Sequence, residues 1–597
     1  MKKMKIALAS PKIRIADCDY NAEACISLAK SAYDGGAEAI VFPELTLTGA
    51  TLGHLYLNEA VLSGAERALE KYIEETADIP LISFIGLPVL SGDKLYDAVA
   101  VVSGGEIVGL SAASDGVKPP FSAYNGKESA VRLLDREVSL SNSAVYTNGL
   151  IRIFCEVGYK GKPSPEVCAA SADITVNPIA EAEYIGFDKQ RRECAERYLA
   201  VSGAYLLVGA GEGESGTDGI FASPRIAVFG DKTDEPPLFE DGLALFDVTV
   251  GEKKAYAPKI SVSKASKTPF VPTDKNELEM AARLSLNIQS RALAARIVRS
   301  YSRCAVIGVS GGLDSTLAVL VAARAMDILG RKRSDVIAIT MPCFGTSERT
   351  KSNALLLADS LGCTTRTIDI KAAVNQHFKD ISHDENNYNV VYENAQARER
   401  TQILMDVANA EGGLVVGTGD LSELALGFAT YNGDHMSMYC VNGSVPKTLM
   451  RAVIAYAANE AEKLSMGELA RVLRDVIDTP VSPELLPTEG GEENKQHTES
   501  IVGPYELHDF FLYHTVKSRM SPSGVLRIAK EAFFGEYTDE EIERYLEIFT
   551  RRFLTQQFKR SCMPDGPRVT EISLSPRASW SMPSDICTNL WKEYFKK

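Results

Sequence analysis

Residues 304–316 read Cys304-Ala-Val-Ile-Gly-Val309 and then Ser310-Gly-Gly-Leu-Asp-Ser-Thr316. A short apolar run bounded by turn residues predicts a buried strand. The paired glycines predict a tight turn that lets a ligand approach the backbone. The residues after them open a helix whose first N–H groups can hold an anion. The stretch lacks the Gly-Lys-Ser/Thr ending of the usual nucleotide P-loop.

Working outward, the same alternation continues on both sides. A helix is predicted over Glu277–Arg299, a strand over Val336–Met341, a helix over Thr350–Leu361 and a strand over Thr365–Ile370. A further helix over Asn394–Asn409 precedes a strand over Leu414–Val416. Strands alternating with helices of this length imply a doubly wound parallel sheet. Ligands of such sheets sit beyond the carboxyl ends of the strands, where Ser310–Ser315 and Gly417-Thr418-Gly419 both fall. The first third of the chain also alternates. Lys5–Ala9 and Glu38–Phe42 read as strands, the second ending at Pro43-Glu44. Asn21–Tyr33 between them has helical spacing, with Asn21 as the expected cap. Leu81–Leu87 and Gly149–Cys155 are further strands, and Ala204–Gly209 and Arg225–Phe229 look antiparallel. The Lys-, Ser- and Pro-rich stretch from Gly251 to Glu277 loses all period and reads as a linker.

A chain of 597 residues is too long for one core. Its 45% hydrophobic and 24% charged content is that of an ordinary globular protein. The net charge of -15 disfavours non-specific contact with nucleic acid. No signal peptide or membrane span is expected from the N-terminal residues. The 11 cysteines lack Cys-x-x-Cys pairs and read as reduced thiols, which predicts a cytoplasmic protein.

The Ser310–Ser315 loop resembles the pyrophosphate loop of ATP pyrophosphatases, which cleave ATP to AMP and pyrophosphate. Further patches narrow the likeness: Glu393–Arg400, Val416–Gly427, Thr430–Asp434, Pro446-Lys-Thr448, Gly503–Phe510, Gln557–Arg560 and Ser575-Pro-Arg577 with Met582–Asp585. With these, essentially the whole chain resembles the long, glutamine-dependent NAD synthetases. That resemblance implies an α/β chain in three parts. Residues 1–255 would form a nitrilase-like αββα glutaminase, 256–275 a linker, and 276–597 a Rossmann-like synthetase of the adenine nucleotide alpha hydrolase kind.

The implied chemistry brings an anionic nicotinate carboxylate of deamido-NAD to a triphosphate, so fixed donors and Mg²⁺ must offset the repulsion. Asp314 and Glu423 are hard oxygen ligands suited to Mg²⁺, and by resemblance both bind it. The resemblance assigns Gly308, Val309, Ser310, Gly311, Gly312, Leu313, Asp314 and Ser315 to the ATP phosphates, together with Thr418 and Lys447. It assigns Asn394, Glu423, Phe428, Ala429, Thr430, Tyr431 and Lys559 to deamido-NAD. Asp434 falls near the reacting phosphate and carboxylate, as a catalytic position.

The N-terminal third resembles the nitrilase superfamily, with its Glu-Lys-Cys triad. Phe42-Pro-Glu-Leu45 carries Glu44, Val117–Tyr124 carries Lys118, and Phe154-Cys-Glu156 carries Cys155. Cys155 would attack the glutamine amide as a thiolate. Glu44 would serve as general base, and Lys118 would steady the oxyanion. Tyr124, Glu181 and Phe187 fall at glutamine-binding positions. Glu181 stands where the family has serine, Phe187 where it has a basic residue, Val157 where it has aspartate, and Arg577-Ala-Ser-Trp-Ser581 replaces its Arg-Gly-Asp-x-Arg pattern. These departures leave one alternative beside the leading reading, an ammonia-dependent synthetase with an impaired or non-catalytic first domain; the pyrophosphate loop alone also permits an RNA-modifying pyrophosphatase, which the acidic charge opposes. The resemblance also implies a homo-oligomer, an octamer, with no nucleic-acid or membrane partner.

Overall fold

The computed structural model describes residues 2–126, 129–256, 265–345, 348–479, 502–577 and 580–595. Part of the expected linker, and Ala578 and Ser579 of the altered terminal pattern, lie outside them. The chain divides into two compact units. Unit 1 comprises Met1–Glu183, Phe187–Gly216 and Ile220–Ile260, and unit 2 comprises Tyr184–Gly186, Thr217–Gly219 and Ser261–Lys597.

Unit 1 holds two sheets. The strands of the first are β1 (Lys3–Ser10), β2 (Ala39–Val41), β3 (Ile82–Ser91), β4 (Lys94–Ser103), β5 (Glu106–Ala112), β6 (Ser129–Leu133), β7 (Arg136–Ser141) and, from the end of the unit, β14 (Gly242–Thr249). Their order is β14-β1-β2-β3-β4-β5-β7-β6. The second sheet contains β8 (Val145–Thr147), β9 (Arg152–Cys155), β10 (Ile174–Ile179), β11 (Ala204–Gly209), β12 (Arg225–Phe229) and β13 (Lys232–Asp234), in reverse order.

Alternation along the strands explains the layers. Met4, Ile6 and Leu8 of β1 face Ile153, Val176, Leu206 and Ala227 of the second sheet in one core. The intervening Ala7 and Ala9 face the helices α1 (Cys18–Asp34) and α2 (Glu59–Glu75), where Ala22, Cys25, Ala29, Ala68 and Tyr72 pack. Small residues on that face let the helices lie close to the sheet. On the other side, the helix α4 (Phe187–Tyr198) covers the second sheet, with Tyr198 stacked on Tyr205 of β11. The expected αββα order is the one observed, and β11 and β12 pair antiparallel as their sequences suggested.

One local expectation is corrected. The helix α1 is capped by Asp17, whose carboxylate accepts from the Tyr20 N–H, and Asn21 lies inside it. The buried Asn21 amide instead donates to the carbonyls of Arg14 and Leu47 and accepts from the Arg14 N–H. It clamps two loops, a use of Asn that local sequence does not distinguish from capping.

Unit 2 is built on a five-stranded parallel sheet: β15 (Ala305–Gly308), β16 (Val336–Thr340), β17 (Thr364–Thr367), β18 (Leu414–Gly417) and β19 (Tyr439–Cys440). The order is β17-β16-β15-β18-β19, with every neighbouring pair parallel. The chain winds outward from β15 in one direction and then returns to its other side, so β15 and β18 flank the switch point. The helix after β15, α6 (Leu313–Ile328), is apolar on nearly all sides and buried, as a helix within a core should be. The facing cluster joins Val306, Ile339 and Val415 to α8 (Lys371–Asp380) and α9 (Val390–Glu411). No helix among the described residues is long and apolar enough to cross a membrane.

Gly86 of β3 is a position where the fold leaves no room for a side chain. A Cβ there would lie 2.3 Å from the Leu45 nitrogen and 2.5 Å from the Pro43 oxygen, both backbone atoms. Neither can yield as a side chain can. Gly86→Ala is therefore expected to destabilise unit 1 by about 2 kcal/mol or more, read as a lower urea midpoint than that of wild type.

Candidate active sites

Three helix starts meet at the carboxyl edge of the unit 2 sheet. The α6 start follows the loop after β15. The short helix α10 (Leu421–Leu426) follows β18, and α11 (Lys447–Lys463) begins at Lys447 itself. In the loop, Gly311 has φ +86°, which a side chain would resist. Ser310 and Ser315 fasten the turn: the Ser310 N–H donates to the Ser315 hydroxyl at 3.3 Å, and the Ser315 hydroxyl donates to the Gly312 carbonyl at 3.2 Å. Gly312 caps α6 without a side-chain bond, which leaves the first N–H groups of a 16-residue helix to a ligand.

The first turn of α6 supplies Asp314. The carboxylate of Asp420 caps α10 by accepting from the Glu423 N–H at 2.8 Å, which fixes Glu423 one turn on. The ligand oxygens of Asp314, Asp420 and Glu423 lie within 4.8 Å of one another. Lys447, 2% exposed, is driven into their midst. Its ammonium stands 2.6 Å from each Asp314 oxygen, 2.7 Å from Asp420 and 3.1 Å from Glu423. Asn442 holds the frame by donating to the carbonyls of Asp314 and Thr418.

One lysine does not balance three carboxylates. Burial raises the Asp420 carboxyl well above its usual range against the pull of Lys447, and Glu423 is pushed up to about 7 mainly by burial. Three hard oxygens with a surplus of negative charge are the donor set of a Mg²⁺-type cation. The residues therefore fit the metal, and Asp420 joins the two positions expected from sequence. Sequence reasoning missed Asp420, although its signal was present as an Asp-x-x-Glu cap after a strand.

The positions assigned to the dinucleotide gather around the loop after α10. Lys559 donates to the Gly427 and Ala429 carbonyls at 2.8 and 2.6 Å. The Thr430 hydroxyl donates to Asn394 at 2.9 Å, and its N–H donates to Asp434 at 2.6 Å. Burial holds the Asp434 carboxyl up despite those donors. Arg552 lies over the Phe428 ring, and Tyr431 is stacked on His435 at 39% exposure, leaving an aromatic face open.

In unit 1, Glu44 follows β2 and Cys155 ends β9. The Glu44 carboxylate accepts the Ala180 N–H at 3.0 Å, and a Cβ on Gly158, three residues past Cys155, would stand 3.8 Å from it. Both therefore lie at one end of the two-sheet core. Burial pushes the Cys155 thiol up strongly, and the Ser111 hydroxyl hydrogen-bonds it. Lys118 is placed differently: its side chain is 73% exposed, and its ammonium bonds Glu181 at 3.1 Å. Tyr124 is buried, with its hydroxyl on the Leu140 carbonyl and the Ser129 hydroxyl. Phe187 starts α4, edge-on to Tyr159 and beneath the buried Arg191.

An anion-holding loop and an acidic cluster at the switch point of a doubly wound sheet define a nucleotide-handling α/β protein. Residues 286–532 match the family model described as NAD synthase. The chain is 33% identical to the glutamine-dependent NAD(+) synthetase of Mycobacterium tuberculosis H37Rv, over 98% of this chain and 97% of that protein. It is 32% identical to the one from Mycobacterium leprae, over 100% and 98%. The chain belongs to the glutamine-dependent NAD(+) synthetases. Among solved structures it shares the fold of such a synthetase from Cytophaga hutchinsonii, with TM-score 0.78 and 19% identity over 99% of each chain. It also resembles the one from Acinetobacter baumannii in complex with adenosine diphosphate, with TM-score 0.63 and 20% identity over 99% of each.

Two outcomes follow from the charge cluster. Lys447→Met removes its internal cation and should cost about 3–5 kcal/mol in urea denaturation, with partial recovery in added divalent cation. Glu423 ionises near 7 when folded, above the value of about 4.3 for an unfolded glutamate. Its contribution to stability is full below the unfolded value and is lost as pH rises through about 7. Without divalent cations, Glu423→Gln should flatten the fall in thermal midpoint between about pH 5 and pH 8; an unchanged slope would contradict this assignment.

Proposed function

We propose that the chain forms NAD by amidating deamido-NAD, with ATP as activator and glutamine as nitrogen donor. The observation that carries this reading is the meeting of the Ser310–Ser315 loop with Asp314, Asp420, Glu423 and Lys447 at the helix starts beyond adjacent parallel strands, in a chain of this family. The nicotinate carboxylate attacks the α-phosphate of ATP, and the bond to pyrophosphate breaks. Ammonia then attacks the acyl carbon, and the bond to AMP breaks as the amide forms. The α6 N–H groups bind phosphate oxygens, and Lys447 offers them a cation. Asp314, Asp420 and Glu423 would hold Mg²⁺, which when bound neutralises phosphate charge. The loop Phe428–Tyr431 with Asn394 and Lys559 receives the dinucleotide, and Asp434 lies beside it.

In unit 1, the Cys155 sulfur attacks the glutamine amide carbon while Glu44 takes the thiol proton. That proton leaves with the nitrogen as ammonia, and water then releases glutamate from the thioester. Lys118 steadies the oxyanion once it turns inward from Glu181. Glu181, in place of a serine, contacts the amino-acid end of the donor together with Tyr124, while Phe187, in place of a basic residue, is packed against Tyr159 and Arg191. We place the enzyme in the cytoplasm as a homo-oligomer.

Amide-labelled glutamine tests the reading. The label should enter NAD in the presence of ATP and deamido-NAD, and unlabelled ammonium should dilute it only weakly. Cys155→Ala should lower the glutamine-dependent rate by at least about 10³-fold and leave the ammonium-dependent rate intact. Asp314→Asn should suppress both. Equal loss of the two activities in Cys155→Ala would defeat the two-site division.

A further inference from the structure

One buried acid of unit 1 has no part in the scheme above, and the inference drawn from it rests on the glutaminase reading. Asp97 lies in β4 at 4% exposure, paired in register with Pro88 of β3. It shares a face of β4 with Val99 and Val101, which point into the core between the sheets along with Cys155. Glu44 reaches the same place from the end of β2, because the Pro43–Leu45 backbone rests on Gly86, the partner of Val99. The two carboxyl groups are close enough to interact directly.

Charged or titratable groups from four other elements act on this acid electrostatically. They are Glu44 after β2, Tyr56 from the short turn Gly53–Leu57, Lys118 from the loop after β5, and Cys155 from β9. Lys118, the cation of this set, has its ammonium on Glu181 at 3.1 Å. Asp97 is buried and Glu44 partly so, and two carboxylates this close do not both ionise, so one proton stays between them. Its place follows from the donors. Glu44 has the Ala180 N–H to stabilise its charge, whereas the buried Asp97 Oδ1 has no hydrogen-bond partner among the described residues.

We propose that Asp97 is a positioning residue of the glutaminase: protonated, it donates a hydrogen bond to Glu44 and holds that carboxylate ionised and oriented as the base for Cys155. Burial and the adjacent Glu44 both raise the Asp97 carboxyl, as this role requires. The proton balance of the reaction is unchanged. The thiol proton passes to Glu44 and on to the departing nitrogen, while the Asp97 proton stays in place. At high pH the shared proton is lost, and Glu44 then faces a second charge where it had a donor.

The test uses the full chain with ATP and deamido-NAD present, and follows glutamate release. Asp97→Asn keeps the shape and supplies an N–H donor that does not titrate. It should stay within about threefold of wild type at neutral pH, and its rate should hold to higher pH than the wild-type rate does. Asp97→Ala leaves Glu44 unsupported and should fall roughly tenfold or more. The ammonium-dependent rate should be unchanged in both, which reports an intact fold. Independently of activity, the infrared difference spectrum of wild type minus Asp97→Asn at neutral pH should show the carbonyl stretch of a protonated carboxylic acid. Absence of that band, an Asp97→Asn loss as deep as that of Asp97→Ala, or an undiminished Asp97→Ala would overturn the proposal. Retained glutamate release in Cys155→Ala would instead defeat the glutaminase reading, and the infrared band would still decide where the proton lies.

Discussion

The contact on which unit 2 depends is the Lys447 ammonium held among Asp314, Asp420 and Glu423. It is an unusual place for a cation. Lys447 is the first residue of α11, and helix N-termini favour anions by roughly 0.3–1 kcal/mol. The three carboxylates reverse that preference at short range, in surroundings where charge is weakly screened. The converse also holds: three acids could not be kept this close out of water without the lysine. Loop, helix starts and parallel strands are thus arranged around one charge arrangement, which leaves a net negative site beside a row of open N–H donors.

Much of this was legible from sequence because it is local. The apolar runs at 304–309 and 414–416 gave strands in their observed places, and the glycine loop gave the turn between β15 and α6. The switch point followed from alternation alone, since parallel strands need helical crossovers. Ends drifted by as many as four residues, at α9 and β3, and by one at β16, which stops at Thr340 where its ladder with β17 stops. What local sequence hid were roles set by distant partners. Asn21 looks like a cap, yet it bridges Arg14 and Leu47. Asp420 reads as helix punctuation, and only the arrival of Lys447 from beyond β19 makes it part of a charge cluster.

The first unit shows the same limit more sharply. Glu44 and Cys155 were found by the strand ends that carry them, and both ends open at one edge of the sandwich. Lys118 was found by a weak motif, and its contact with Glu181 spans 63 residues of sequence. No periodicity foretells that pairing. Phe187 likewise looked like a lost cation, whereas its ring is packed between Tyr159 and Arg191 in the cover of the second sheet. A substitution that removes charge from a ligand position has here been absorbed into packing.

The two units meet the cost of buried negative charge by different means. On the proposed function the unit 2 carboxylates face a polyanionic substrate, so a neutralising proton on each would forfeit the ligands a divalent cation needs. A resident lysine instead offsets part of the charge by pairing with those same oxygens, which a divalent cation would then share or take over. On the proposed glutaminase reading, Glu44 of unit 1 has to accept a proton from a thiol that burial makes reluctant to give it up. A cation fixed directly on Glu44 would weaken it as a base, while a neutral donor orients it at smaller cost to its basicity. Lys118 on the rim and the Asp97 acid beneath Glu44 fit that requirement. On that reading the cation is kept for the oxyanion, and the base is held by a neutral donor.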